Sequence, residues 1–211
     1  MKKTYELEEW FKIYRKIVKE LEIDEKKDYE ARDLIIELAK GKLLDLKALK
    51  RKISGKSVAV IGYAIKKDEF KKIKEDIVIT AGKSLAKVKE ISRAYVPDIH
   101  VTDLEEEELI VELEKKGCLI VVHAHGDNME RIKRIVPKLS KFVATTQVIP
   151  KEKVYNFGGF TDGDRAAIIA KKMGAKMIKL YGFDFESANS TLKRKKLKWA
   201  RKILEKEKIV T

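Results

Sequence analysis

The chain has 211 residues, a net charge of +14 and a single cysteine, which suits one good-sized α/β domain with an appendage and excludes two full domains. Cys118 lies in an apolar run and cannot build a disulfide framework, and no apolar run approaches the ~18 residues that a membrane span needs. Because the first nine residues lack the apolar segment of a signal peptide, we expect a cytoplasmic protein with no membrane partner.

Residues 1–55 show the spacing of apolar side chains that is typical of amphipathic helices. The apolar residues recur every three or four positions in three stripes, and Gly41 follows the second stripe as a helix stop. We therefore predict an N-terminal helical region, residues 1–55, whose stripes face a core. The stripes are Trp10, Tyr14, Ile17, Val18 and Leu21; Ala31, Leu34, Ile35 and Leu38; and Leu43, Leu46, Leu49 and Ile53.

From residue 56 the pattern changes to short β-rich runs separated by helical segments. This alternation predicts an α/β fold with a doubly wound, mostly parallel sheet in a catalytic domain of residues 56–211. The run at 154–157 follows its predecessor too closely for a helix, so we expect antiparallel pairing or a bent strand there. The predicted strands are 57–61, 76–80, 98–101, 118–123, 142–145, 154–157 and 176–181, with crossover helices around 85–91, 106–113, 130–136 and 166–173.

The last segment, residues 191–208, predicts a basic C-terminal helix. Leu197, Ala200 and Leu204 share one face, and residues 187–211 carry nine basic and two acidic side chains, which is half of the net charge. Such a helix is either a solvated surface or a nucleic-acid-binding element. The chain is rich in lysine and glutamate but has one glutamine, a bias typical of proteins from hot habitats, and this bias favours the solvated surface.

Acidic turns follow three of the predicted strands. Asp103 and Glu105 come after the strand at 98–101, and two carboxylates at this spacing can share a metal. The alternative is that Thr102 or Asp103 caps the next helix, and for this turn alone we favour the cap. Because ligands bind at the carboxyl edge of an open α/β sheet, carboxylates gathered there suit a hard cation such as Mg²⁺ carrying phosphates.

The second acidic turn is HAHGDN at residues 123–128. Strand alternation places His123 and His125 on the same side, and Gly126 lets the backbone turn before Asp127. Two histidines and an aspartate resemble a transition-metal site, but the usual zinc signatures are missing. Histidines beside a carboxylate at a phosphate site instead donate hydrogen bonds or transfer protons.

The third acidic turn, NFGGFTDGDRA at residues 156–166, is the most informative segment. Thr161 and Asp164 have the spacing of a capping box that uses aspartate. This capping function leaves Asp162 and Arg165 unexplained. A helix N-terminus favours phosphate, yet carboxylates there repel it unless a cation intervenes, so the turn predicts a metal-bridged phosphate.

Residues 80–84, TAGKS, look like the end of a phosphate-binding P-loop. Ile77 stands where that motif requires its first glycine, so a true P-loop is excluded. Lys83 and Ser84 remain candidates for phosphate contacts at a helix start. The dinucleotide-binding fingerprint is also absent, because the turn directly after the first predicted strand contains one glycine, Gly62, instead of three.

Five motifs of the chain form a recognisable set. They are PDIHVTDL (97–104), HAHGDN (123–128), TTQ (145–147), NFGGFTDGDRA (156–166) and GFDF (182–185). Together they resemble the archaeal 6-hydroxymethyl-7,8-dihydropterin pyrophosphokinase family, which is related to the catalytic domain of thiamine pyrophosphokinase. The similarity runs from about residue 57 to the C-terminus, and the second and fourth motifs are highly specific. The resemblance implies an enzyme that uses ATP and Mg²⁺ to make a pterin diphosphate and AMP, in folate or methanopterin biosynthesis.

Some turns depart from the family pattern. The family usually has a Gly-Ala-Gly-Pro-Ser type turn where residues 62–66 read GYAIK, and an Ala-Asp-Gly-Ala type turn near TAGK at 80–83. Its Asp-Leu-Asp pattern becomes Asp103-Leu104-Glu105, which keeps the carboxylate on a longer arm. The altered turns lie in the part of the chain that the resemblance assigns to nucleotide binding.

Within this resemblance the polar residues receive roles. The predicted metal ligands are Asp103, Asp127, Asp162 and Asp164, with Glu105 as a weaker member. The predicted catalytic residues are Asp127, His125 and Arg165, and Arg165 and Lys83 are candidates for stabilising phosphate charge. The remaining nucleotide- and pterin-binding candidates are Ser84 for phosphate, Phe157 or Phe160 for stacking unless they belong to the core, and Asn128, Thr146, Gln147 and Asp184 for the pterin edges.

Other functions stay open on the sequence. Thiamine or another small alcohol is an alternative acceptor, and a nucleic-acid-binding protein that uses the basic tail is the alternative from another class. A homo-oligomer is compatible with the sequence.

Overall fold

The computed structural model describes residues 2–210, with side chains from Leu7 onward. Each strand begins within one residue of its predicted start. The strands are β1 (Ser57–Ile61), β2 (Ile77–Ala81), β3 (Ile99–Thr102), β4 (Leu119–Ala124), β5 (Val143–Thr146), β6 (Val154–Tyr155) and β7 (Met177–Tyr181). The helices are α1 (Lys2–Leu21), α2 (Glu25–Ala39), α3 (Leu46–Ile53), α4 (Lys67–Phe70), α5 (Ser84–Ile91), α6 (Glu107–Lys115), α7 (Met129–Ile135), α8 (Asp162–Lys172) and α9 (Thr191–Lys206). Within residues 2–210, no helix is long and apolar enough to cross a membrane.

The strands form one parallel sheet in the order β6-β5-β4-β3-β2-β1-β7. The predicted α/β fold with a doubly wound sheet is therefore confirmed. Of the two expectations for 154–157, antiparallel pairing within the sheet is wrong, because β6 pairs parallel with β5, with Val154 opposite Ala144. An isolated antiparallel bridge joins Val154 to Lys151 in the preceding turn. A seven-residue connection suffices here, since β6 has two residues and the chain returns over only about 7 Å.

Apolar side chains alternate between the two faces of the sheet and build a core on each side. In β4, Leu119 and Val121 face the core that α1, α3, α8 and α9 cover. Ile120 and Val122 face the opposite core, which α2, α6 and α7 cover. Helices therefore pack on both faces, which is why strands buried on both sides read as continuous apolar runs.

The helices of residues 1–55 share these cores with the sheet. Tyr14 and Ile17 of α1 are fully buried against β-strand residues, and Ile35 of α2 is fully buried in the opposite core. Leu43, which we predicted in the third helical stripe, instead precedes α3 and forms a β-bridge with Phe142. The region around the second helix end agrees with the predicted stop, since Lys40 and Gly41 both have positive φ.

Helix α9 packs its apolar face inward, as predicted. Ala200 and Leu204 are buried against α8 and the N-terminal layer, which comprises helices α1, α2 and α3. Most of the basic side chains of α9 face solvent. Trp199 donates its indole N–H to Glu20 of α1 over 2.9 Å. The C-terminal helix therefore closes the same face of the sheet that α1 covers.

Candidate active site

A large cavity opens at the carboxyl edge of the sheet. Its volume is about 1360 Å³, and its walls include the turns that follow β1, β2, β3, β4, β5 and β7. The first turn of α8, the loop between α1 and α2, and the N-terminal half of α9 complete the walls. Parallel strands bring all these turns to one edge, which is the usual position of a ligand site in an open α/β sheet.

Asp103 is presented to this cavity by a strained turn. The Thr102 hydroxyl accepts the N–H of Leu104 over 2.8 Å and donates to Glu106 over 3.1 Å. Leu104 has a φ of 70°, a left-handed conformation that is costly for leucine. Helix α6 begins only at Glu107 and has no side-chain cap. The capping interpretation of Thr102 and Asp103 is therefore wrong, and the Asp103 carboxylate is left for another function.

The two Asp103 oxygens have different surroundings. Oδ2 lies 3.6 Å from His125 Nε2 and 3.8 Å from Arg131 Nη2. Oδ1 is buried and has no hydrogen-bond partner among the described residues. Burial by itself raises the pKa of Asp103, but the contact with His125 and the charge of Arg131 outweigh it and hold the pKa below its usual value. The group is therefore a charged carboxylate with one oxygen available.

Asp162 begins α8 and faces Asp103 across the cavity edge. Its Oδ1 accepts from Arg165 Nη1 over 2.9 Å. Its Oδ2 lies 2.7 Å from where a Cβ on Gly82 would stand, so the carboxylate rests on the glycine that follows β2. Burial raises the pKa of Asp162 well above its usual value, and the nearby charge of Asp103 raises it further.

Arg165 is the buried cation of this site. Its side chain is only 3% exposed, and besides Asp162 it reaches the carbonyls of Gly159 and Phe160, each at 3.4 Å. A Cβ on Gly159 would stand 2.7 Å from the Arg165 Cα, so only glycine fits there. Burial lowers the pKa of Arg165, and the three aspartates around it, Asp162, Asp164 and Asp103, oppose that effect.

The donor set fits a cation that is shared with a ligand. Two carboxylates repel each other across the cavity, and one of them has a buried oxygen without a partner. Within residues 2–210, no group of three or more histidine, cysteine, aspartate or glutamate residues is placed to hold a metal by itself. Mg²⁺ typically takes one or two carboxylates and completes its shell with water and substrate phosphates. Asp103 and Asp162 meet that requirement.

The other predicted metal ligands have different surroundings. Asp164 is fully buried and accepts from Phe160 N at 2.8 Å and Thr161 N at 2.6 Å, which confirms the predicted capping box and uses the Asp164 carboxylate there. Asp127 lines the cavity but is exposed, and Glu105 pairs with Lys83 at 3.2 Å and with Arg131 at 3.6 Å. The structure therefore places Asp103, Glu105, Asp127 and Asp162 in one cavity wall and Asp164 outside it.

The histidine turn lies beside the carboxylates. The rings of His123 and His125 stack with centroids 5.7 Å apart, as the strand alternation predicted. His125 Nδ1 accepts the N–H of Asp127 over 3.3 Å, so its proton sits on Nε2 and points toward Asp103. His123 is 2% exposed, and burial holds its pKa well below its usual value.

Several predicted binding residues are structural. Asn128 spends its amide on the carbonyls of Asp103 and His123, at 3.0 and 2.7 Å, and so holds the two turns together. The Ser84 hydroxyl accepts from Ala81 N over 2.9 Å, and Thr146 is buried outside the cavity wall. Phe157 is 6% exposed and belongs to the core. These four residues do not line the cavity.

The remaining candidates do line it. They are Lys83, Gln147, Phe160 and Asp184. Gln147 donates its side-chain amide to Asp28 over 2.7 Å. Asp184 is exposed and accepts from the backbone N–H groups of Glu186 and Ser187, each at 2.9 Å. The hydrogen bonds to Ser187 and Glu186 lower the pKa of Asp184.

Asp28 of α2, which was not among the predicted site residues, reaches the site from the helices of residues 1–55. Its buried carboxylate accepts from the N–H of Gly126 over 2.7 Å, from Gln147, and from the hydroxyl of Tyr14. A Cβ on Gly126 would stand 2.6 Å from the Lys27 Cβ, so α2 packs directly on the histidine turn. Nothing local marks Asp28, since its partners lie up to 119 positions away.

Two other features were also missed. Phe183 and Phe185 line the cavity with rings 5.9 Å apart, although they belong to the GFDF motif. The Glu106 side chain is 6% exposed, its Oε1 is buried without a described partner, and its Oε2 lies 3.6 Å from His100 Nε2. The run of four glutamates at 105–108 gives no signal that separates Glu106 from Glu105.

Comparisons with known proteins show which family the chain belongs to. A family model described as "6-hydroxymethylpterin diphosphokinase MptE-like" matches residues 34–190. A protein of Methanocaldococcus jannaschii named 6-hydroxymethyl-7,8-dihydropterin pyrophosphokinase is 38% identical over 85% of this chain and 80% of its own length. Proteins with the same name from Pyrococcus furiosus (36% over 94% of this chain and 92% of its own) and Methanothermobacter thermautotrophicus (50% over 43% and 39%) are also similar. The chain therefore belongs to the MptE-like 6-hydroxymethylpterin diphosphokinase family, a family of diphosphate-transferring enzymes.

Proposed function

We propose that this enzyme transfers diphosphate from ATP to 6-hydroxymethyl-7,8-dihydropterin in the presence of Mg²⁺. The hydroxymethyl oxygen attacks the β-phosphorus, the bond from that phosphorus to the α,β-bridging oxygen breaks, and the products are AMP and the pterin diphosphate. The names of the similar proteins support the acceptor. Folate or methanopterin biosynthesis is the corresponding pathway proposal.

The observation that carries the proposal is the pairing of Asp103 and Asp162 beside Arg165. Two carboxylates at one cavity edge, with a buried Asp103 oxygen that lacks a partner, call for a cation between them and the ligand. Asp103 and Asp162 would hold Mg²⁺, which when bound neutralises phosphate charge and orients the diphosphate for in-line transfer. A triphosphate supplies the further oxygens that the protein does not.

The other residues of the cavity suit the two substrates. Arg165 is held rigidly by burial and offers a fixed positive charge for the transition state. Lys83 is 62% exposed, and an exposed ion pair such as the one it makes with Glu105 is weak, so its charge can be redirected to a phosphate. Phe160, Phe183 and Phe185 present aromatic surface for a flat ring, and we propose that one of them stacks on the pterin.

Proton transfer and pterin recognition are assigned within the same proposal. His125 directs its Nε2 proton toward Asp103, and the exposed Asp127 stands at the cavity mouth, so both remain candidate catalytic residues. Gln147 and Asp184 remain candidates for the pterin edges. Thiamine as acceptor and nucleic-acid binding through the basic tail stay alternatives, and a cytoplasmic location and a homo-oligomer stay predictions.

Product analysis tests the reaction. Purified protein is incubated with ATP, Mg²⁺ and 6-hydroxymethyl-7,8-dihydropterin, and in parallel with thiamine. We expect AMP in one-to-one ratio with pterin diphosphate, no reaction with thiamine, and loss of turnover with excess EDTA that Mg²⁺ restores. ADP as the stoichiometric product would refute diphosphate transfer, and turnover of thiamine alone would refute the acceptor.

A further inference from the structure

His123 carries a buried ring nitrogen without a hydrogen-bond partner among the described residues. The residue lies near the end of β4, is 2% exposed and lines the cavity. Its Nδ1 lies 3.1 Å from the Thr145 hydroxyl on the neighbouring strand β5. Its Nε2 is buried and has no hydrogen-bond partner in the described part of the chain. Buried polar atoms are nearly always satisfied, so an orphan nitrogen in a cavity wall points to a ligand.

The hydrogen bonds around Thr145 fix which ring nitrogen carries the proton. The Thr145 hydroxyl has one proton and donates it to the Val122 carbonyl over 3.2 Å. The same oxygen can then only accept from His123, so Nδ1 is protonated. Nε2 of the neutral ring therefore carries a lone pair without a described partner, on a residue that lines the cavity.

The charges around His123 show how this lone pair is used. Burial holds its pKa well below the usual value, and the positive charges of Arg165 and His125 act in the same direction. The neighbouring Gln147 side chain acts in the opposite direction but is the smallest of these influences. An imidazolium is thus disfavoured at this position. His123 can accept a hydrogen bond from a ligand without taking the proton.

We propose that His123 Nε2 accepts the hydrogen bond of the acceptor substrate's hydroxyl group and orients that oxygen before transfer. This inference rests on the proposed function, because Arg165 and the carboxylates place the diphosphate at the same end of the cavity. It makes His123 a specificity-determining residue that recognises an alcohol rather than its deoxy analogue. A site built around a hydroxyl rejects an analogue lacking it, because a buried polar atom is then left unpaired.

A pair of probes and a pair of variants test this role. Binding of 6-hydroxymethylpterin and 6-methylpterin is measured by calorimetry with Mg²⁺ and a non-hydrolysable ATP analogue. We expect wild type to prefer the hydroxymethyl compound by at least about fivefold, the scale of one buried hydrogen bond. In His123→Asn, whose amide still reaches Thr145 but leaves the Nε2 position empty, the preference should fall to about one while 6-methylpterin and nucleotide affinities stay within about threefold.

The outcomes separate the two proposals. A wild-type preference that His123→Asn retains would overturn the assignment of His123 alone. Wild type that binds the nucleotide but neither pterin would overturn the proposed acceptor and this inference with it. If His123→Asn does not fold, ¹⁵N NMR of the wild-type histidines decides. The unprotonated Nε2 resonance of His123 should shift with 6-hydroxymethylpterin and not with 6-methylpterin, and equal shifts would refute the contact.

Discussion

Asparagine substitutions at Asp162 and Asp164 give the sharpest test of the site. The two residues stand two positions apart in the first turn of α8, and the structure gives them opposite functions. Asp162→Asn keeps an oxygen that can accept from Arg165, which lies 2.9 Å from the Asp162 carboxylate, and removes the charge repulsion from Asp103. We therefore expect a change of only about 1 kcal/mol in the free energy of unfolding, and a loss of at least ~100-fold in turnover, because the metal-binding charge is gone.

Asp164→Asn should do the reverse. Its carboxylate accepts from Phe160 N, Thr161 N and the Thr161 hydroxyl, and an asparagine has only one oxygen to offer. One partly buried donor is left unsatisfied, which costs about 1–3 kcal/mol. Removing the charge also removes the burial penalty that raises the pKa of Asp164, so the loss stays in that range. For a chain of this size it corresponds to a decrease in Tm of roughly 3–10 °C.

The assay combines thermal unfolding with initial rates of AMP formation at saturating substrates. Rates are normalised to the folded fraction at the assay temperature. If Asp162→Asn lowers Tm sharply while its folded molecules turn over normally, Asp162 is a structural residue and not a metal ligand. If Asp164→Asn leaves Tm unchanged and abolishes turnover, the metal contact belongs to Asp164.

Two further predictions concern the N-terminal layer. Asp28→Asn sets an amide against three converging donors, so we expect the free energy of unfolding in urea to fall by about 2–3 kcal/mol and turnover to slow. The control Asp24→Asn, in which asparagine caps α2 as well as aspartate does, should change neither quantity. Equal effects of the two substitutions would refute the role of Asp28. Hydrogen bonds from Lys12 and Lys206 lower the pKa of Glu9 from 4.5 to about 2. Its contribution to stability is therefore present above pH 4.5 and lost as pH falls toward 2, and the urea midpoint of Glu9→Gln should vary less over that window.

The sequence by itself determined the elements and the local motifs. The starts of the strands followed from short apolar runs, and the helices followed from apolar side chains spaced every three or four residues. Both patterns are local because the buried side chains of an element recur with that element's own period. The capping box of Thr161 and Asp164 and the shared side of His123 and His125 were also readable, since each depends on residues within four positions. The family motifs then pointed to diphosphate transfer, which the comparisons support.

Only the tertiary structure decided how these residues are used. Two aspartates in one helix turn differ because Asp164 folds back on its own backbone while Asp162 rests on Gly82 across the sheet. The helix-cap interpretation of Asp103 was wrong because the turn with Leu104 in the left-handed conformation moves the start of α6 to Glu107, beyond the reach of a cap by Asp103. Asp28 reaches Gly126 across 98 positions, and that contact follows from the docking of α2 on the sheet. Periodicity describes a residue's own element, whereas the order of the strands and the packing of the helices decide which distant side chain it meets.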